Sequence, residues 1–365
     1  MTGIGGAIVG DRAMGFGGRG QGRRLRGICP RPALIALSAI LLLGATQRLA
    51  AQAGASDARD DADAARIDAL LATPSALTPA PQTNIFATSP GLEEQAPSPR
   101  FTFNVLTPVY FNSNPESASA GGVSTAEVSP VGSLSWAAPV FDLPLRVSAN
   151  LRAESDRFTG SSGPDLDKLA GTLRLQAIDP NNDQGFSPYL VYAPRMDLAP
   201  TFAQEIATRQ DLNLGFNKIF NFDANFQAIP AAGNTRASTV WSFGLTFFAQ
   251  RRFRDPTPSS YALYVIPSVS YVIDEQWNVS LGVETIRRWF DSNGGVSRAD
   301  WLVEPIATLE FVLPASWLGA GGNARLFGQP ALDFQTSYER ASSSFSNSSF
   351  STWTVGAALK TGWRF

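Results

Sequence analysis

The sequence has no histidine, one cysteine and three methionines in 365 residues, and only 16% of them are charged. Each shortage closes off a class of function. Without histidine the chain lacks the commonest general base, the commonest metal ligand and the usual partner of a serine nucleophile. Metal centres built on His and Cys are excluded with it. A formal net charge of −2 gives no basic footprint for nucleic acid. The chain also lacks a helix-spanning apolar run. The longest, Ala33–Ala45, falls short of the roughly 20 residues a membrane helix needs. What is plentiful instead is aromatic and small: 24 Phe, 8 Trp and 32 Gly. That composition is not helical, and its low charge is not that of a disordered chain.

The apolar run has a context. Arg23, Arg24 and Arg26 precede it, and Ala51-Gln52-Ala53 follows as a small-x-small cleavage signal. Residues 1–53 therefore read as a secretory signal peptide, with an uncleaved anchor as the weaker alternative. Cleavage after Ala53 removes seven arginines and one acid, leaving a mature net charge of −8. It also removes Cys29, so the exported protein has no disulfide.

Residues 54–100 read as a periplasmic extension, mostly irregular. Ile67, Leu70 and Leu71 recur at helical spacing within a short Ala- and Asp-rich stretch. Prolines 74, 79, 81, 90, 97 and 99 then break any regular element. The segment is a tail, a plug that enters a pore, or a binding peptide for a periplasmic partner.

From Phe101 to Phe365 the period is two. Trp353, Val355, Ala357, Leu359, Thr361, Trp363 and Phe365 share one parity, and Thr354, Gly356, Ala358, Lys360, Gly362 and Arg364 the other. Side chains alternate across a strand, so one face is apolar and the other small or polar. The same pattern recurs in Trp301–Leu313, Trp277–Glu284, Tyr261–Tyr271, Trp241–Phe247 and Leu145–Arg152. Segments of this length match a tilted membrane crossing, with aromatics such as Tyr261 and Tyr271 near segment ends. A lipid-exposed sheet must close, because an open edge leaves amides unpaired in hydrocarbon. The expected fold is all-β: a closed antiparallel transmembrane β-barrel over 101–365. A soluble periplasmic sandwich is the runner-up.

The last strand, ending Lys360-Thr361-Gly362-Trp363-Arg364-Phe365, resembles the C-terminal signal of Gram-negative outer-membrane β-barrel proteins. The resemblance covers the leader and 101–365 by pattern, and it names a class, porin-like in type, not a subfamily. It implies an outer-membrane location, periplasmic termini, short periplasmic turns and longer outer loops. It also implies partners: outer-membrane lipid, periplasmic chaperones, and the barrel assembly machinery, which would read Leu359, Trp363 and Phe365.

Thirteen strand candidates can be drawn, among them 205–217, 221–230, 236–250 and 323–338. Bacterial single-chain barrels are even-numbered, and reading inward from the two ends disagrees by one strand between 186 and 250. Twelve strands are favoured and fourteen come next.

The polar parity carries both signs of charge. Arg146, Arg152, Arg174, Arg209, Asp211, Asp223, Glu284, Arg288, Glu304, Glu310, Lys360 and Arg364 are the expected lumen-lining residues, with Glu154, Asp333 and Glu339 on the same face. They form either the wall of a water-filled pore or an ion-pair ladder that fills a narrow barrel. No catalytic constellation is visible, and a non-enzymatic role is expected. Glu304 and Glu310 share a face, but six residues of strand span roughly 20 Å, too far for paired-carboxylate catalysis. A Ser–Lys or another paired-carboxylate site stays open. No cofactor or metal is expected. Asp165 and Asp167, read as an outer loop, are at most a weak calcium site.

The leading function is a passive channel for small hydrophilic solutes. The alternatives are a structural or surface-interaction barrel with a closed, ion-paired lumen, and a transporter of apolar compounds with the N-terminal segment as hatch.

Overall fold

The computed structural model describes residues 100–364, except 116, 120–121, 142, 160–164, 179–185, 230–238, 294–295, 315–316 and 318–329. The expected leader (1–53), nearly all of the extension (54–100) and Phe365 lie outside the described residues.

The alternating segments form β1 (Arg100–Asn112), β2 (Thr125–Val128), β3 (Val131–Pro139), β4 (Leu145–Phe158), β5 (Leu166–Ala177), β6 (Ser187–Leu198) and β7 (Glu205–Phe222). They continue as β8 (Trp241–Asp255), β9 (Ser260–Val272), β10 (Trp277–Asn293), β11 (Val296–Val312), β12 (Ala331–Ser343) and β13 (Phe350–Arg364). Each pairs antiparallel with its neighbour, and β13 pairs with β1 from Thr102↔Arg364 to Asn112↔Thr354. The sheet is therefore closed and has no free edge.

Thirteen strands occupy twelve positions round the barrel. β2 and β3 keep one register against β1, Val109↔Val128 then Leu106↔Val131. They also keep one register against β4, Val128↔Arg157 then Val131↔Glu154. They are halves of a single strand interrupted at Ser129–Pro130. Proline lacks the N–H a ladder needs. Pro130 still accepts from Ser155 N, and Pro108 on β1 accepts from Ser129 N, each at 3.1 Å.

The disputed strand falls where the two sequence readings diverged. Within the expected strand 221–230, residues 223–227 form a turn. β7 runs on through Phe222, and Asp223 Oδ1 then accepts the backbone N–H of both Asn225 and Gln227 at 2.8 Å. Phe226, at φ 61°, folds back so that its ring lies 4.9 Å from that of Phe222. A short polar side chain capturing nearby amides defeats strand formation here.

The apolar parity faces outward. Leu151, Leu173, Leu214, Leu281, Trp301, Val355 and Leu359 are all more than 40% exposed. Aromatics collect at both ends of this belt. Near the end that holds the start of β1 and the end of β13, Trp241 meets Tyr271 (4.3 Å) and Trp277 meets Phe311 (4.6 Å). At the opposite end Tyr338 meets Trp353 (4.7 Å). No helix among the described residues is long and apolar enough to cross a membrane.

Connection lengths depart from expectation. The segments 223–240 and 313–330 are the longest, and both lie at the end bearing β1's start and β13's finish. The longest at the other end is 113–124. The rule of short turns on the side of the termini is not followed.

A closed ladder of this kind resists detergent until heated. The refolded protein is expected to migrate differently before and after boiling on a detergent gel. Identical migration would count against a closed barrel.

Candidate functional site

Closure turns the second parity into an inner wall. Glu284, Arg288, Glu304, Glu310, Arg174 and Asp211 are buried there, and Arg146, Arg152, Arg209 and Lys360 are half-buried on the same parity. Asp223 departs from the expected wall position: it is half-buried in the turn after β7, where its carboxylate caps the turn instead of extending from a strand. Arg364 is in β13 opposite Thr102, and its side chain is outside the described residues. Of the expected assembly residues, Leu359 is 49% exposed and the Trp363 ring stacks on Phe103 at 5.7 Å.

The wall residues fall into clusters. Lys168 Nζ contacts Glu154 at 2.9 Å and Asp156 at 2.5 Å, and Arg152 also pairs with Glu154. Asp211 receives Arg209 at 3.1 Å and Arg252 at 3.0 Å. It connects through Gln250 (3.3 Å) and Tyr264 (3.1 Å) to Arg288 (2.9 Å). Lys360 pairs with Glu310 and lies 3.4 Å from Asp333. These contacts run along the wall, within a strand or between strands one or two positions apart.

The charges are unevenly shared round the circumference. The inner faces of β5–β8 carry Lys168, Arg174, Arg195, Arg209, Arg252 and Arg254 against Asp197 and Asp211. Those of β10–β13 carry Glu284, Asp300, Glu304, Glu310, Asp333 and Glu339 against Arg288, Arg298 and Lys360. With twelve positions, β11 is diametrically opposite β5. Glu284 and Glu304 are also register partners. Sequence spacing could not reveal this acidic pair, because register between strands is not written along one strand.

Two features were missed. Lys168, Arg195, Arg252 and Arg254 line the wall. In the run Arg251-Arg252-Phe253-Arg254 charge sits on both parities, which hides the register. The second is an apolar inner row. Tyr189, Gly215, Phe248, Tyr264, Ile286, Leu302, Ala341 and Phe350 are successive register partners from β6 to β13. Phe248 stacks on Tyr264 at 4.1 Å. Both parities of Tyr261–Ile266 are apolar, so alternation was silent there.

On the outer face, Asp167 is not a loop ligand. It lies in β5, fully buried, and accepts from Ser155 Oγ (2.5 Å), Arg157 Nη2 (2.6 Å) and Phe202 N (2.9 Å). Asp165 instead accepts from Phe158 N at 3.0 Å. Among the described residues no group of acids is arranged to hold a metal ion.

No family model matches the chain. No curated protein matches it either. Solved structures do. An outer membrane channel from Pseudomonas putida F1 is 14% identical, over 75% of this chain and 99% of that one, at a TM-score of 0.43. The translocator domain of the autotransporter NalP from Neisseria meningitidis is 10% identical, over 85% and 97%, at 0.39. An anion-selective porin from Comamonas acidovorans is 10% identical, over 73% and 99%, at 0.32. Likeness at this level identifies neither a family nor an activity.

Proposed function

We propose that the chain is a barrel of the Gram-negative outer membrane and a narrow passive channel for small hydrophilic solutes. The outward apolar belt with aromatics at both ends is the surface a bilayer requires. The observation that carries the channel reading is the inner wall. Its charges lie in two opposed arcs, and the ion pairs named above follow the wall instead of bridging the barrel. Among the described residues, the buried side-chain oxygen and nitrogen of Asn278, on the inner face of β10, have no hydrogen-bond partner. Buried polar atoms are rarely left unsatisfied, and water in a lumen supplies what the wall does not. Mixed charge predicts weak ion selectivity, because strong selectivity needs one sign.

A closed lumen is the second reading, favoured by the apolar row from Tyr189 to Phe350. Single-channel recording of the protein in planar bilayers separates the two. Discrete conductance steps are expected, larger in a Phe248→Ala/Leu302→Ala variant that widens the row. Silence from correctly folded wild type and variant alike would establish a closed barrel. Transport of apolar compounds rests on residues 54–100 acting as a hatch. Recording with and without them tests that role. Assembly through Leu359 and Trp363 by the barrel assembly machinery, with periplasmic chaperones, belongs to the same reading, which assigns the chain no catalysis.

A further inference from the structure

The inner wall leaves unused a cationic patch on the outward face, at the rim away from the start of β1 and the finish of β13. Arg287 projects outward from β10 between Trp289 on its own strand and Trp301 opposite on β11. Its guanidinium carbon lies 5.6 and 5.2 Å from the two ring centroids. Arg340 on β12 is exposed and stands opposite Val303, two residues along β11 from Trp301. Two strand spacings and two residues place the Cα atoms of Arg287 and Arg340 about 12 Å apart, within joint reach of two long side chains.

Neither arginine has a carboxylate partner among the described residues. Arg251, on the same face nearby, shows the contrast, since Asp291 takes both its terminal nitrogens at 2.8 and 2.7 Å. A cation facing the bilayer is costly unless it reaches water or an anion. Tryptophan holds a guanidinium over its face and prefers the headgroup level. The forked guanidinium fits phosphate in two-pronged fashion. An anion with its own hydrocarbon would satisfy the cations and rest on the exposed aromatics at once.

We propose that Arg287 and Arg340 together seat a phosphate of the phosphorylated glycolipid of the outer leaflet, with Trp289 and Trp301 as its platform. This rests on the outer-membrane reading with periplasmic termini, which puts this rim on the outer side.

The test uses the full mature chain refolded in detergent, each sample first shown to be heat-modifiable. Binding of bis-phosphorylated lipid A, dephosphorylated lipid A and phosphatidylglycerol is measured by native mass spectrometry. Bis-phosphorylated lipid A is expected to bind best. The Arg287→Ala/Arg340→Ala variant should bind it at least roughly tenfold more weakly, as loss of two charge-assisted contacts implies. Arg287→Lys, which keeps the charge but loses the fork, should fall between. Equal binding of the dephosphorylated form, or an unaffected double variant, overturns the site. Equal binding of phosphatidylglycerol overturns the assignment to the glycolipid. A wild type that is not heat-modifiable would count against the barrel reading beneath it, a distinguishable failure.

Discussion

Gly356→Val is expected to stop the barrel from closing. Gly356 lies on β13 at the seam, with Tyr110 of β1 on one side and Gln335 of β12 on the other. The Tyr110 side chain crosses over it, and its hydroxyl donates to Gln335 Oε1 at 3.1 Å. A Cβ at 356 would overlap Val109 O and lie 2.5 Å from Tyr110 Cδ1. The backbone oxygen cannot move away without breaking the β1–β13 ladder, which is the closure itself. Overpacking alone costs about 1–3 kcal/mol, and a displaced Tyr110 forfeits about 1 kcal/mol more from its hydrogen bond. The variant should yield little heat-modifiable protein, and what folds should unfold at lower urea in detergent micelles. Adding Tyr110→Ala should recover part of the loss. Wild-type behaviour of the single variant would mean that the seam is looser than its register implies.

The second large effect is expected at Lys360. Its ammonium pairs with Glu310 and lies 3.4 Å from Asp333, and both acidic side chains are fully buried. Lys360→Met would leave two carboxylates facing each other without a cation. Breaking a buried pair by removing one partner costs about 3–5 kcal/mol. Adding Glu310→Gln and Asp333→Asn should return most of that stability, since the uncompensated charge goes with them. Urea unfolding in micelles measures both steps. A loss below about 1 kcal/mol, the range of solvent-exposed pairs, would place the cluster in bulk-like water. That outcome would favour a wide lumen over a narrow one.

Alternation was enough to separate the outward from the inward parity along β13, β11 and β4. A side chain two residues on must share a face, and a one-residue slip would turn every inward charge outward. The same rule misled at Phe222–Phe226, where Phe222, Ala224 and Phe226 alternate because a turn folds one ring onto another. Local pattern does not distinguish a strand from a hairpin that packs its own aromatics. At Ser129–Pro130 the ladder is interrupted, and only the common register of β2 and β3 against both neighbours shows that they are halves of one strand.

The sequence by itself determined the class of the fold and the sign of each face, because both depend on spacing within one strand. Only the tertiary structure decided which residues meet across strands. Lys360 finds Glu310 two strands away, Glu284 faces Glu304, and Arg252 and Arg209 converge on Asp211. It also decided that the acids and bases occupy opposed arcs and that an apolar row crosses eight strands, β6 to β13. Those placements follow from the register and closure of the ladder, fixed jointly by all the strands through hydrogen bonds that no single segment encodes.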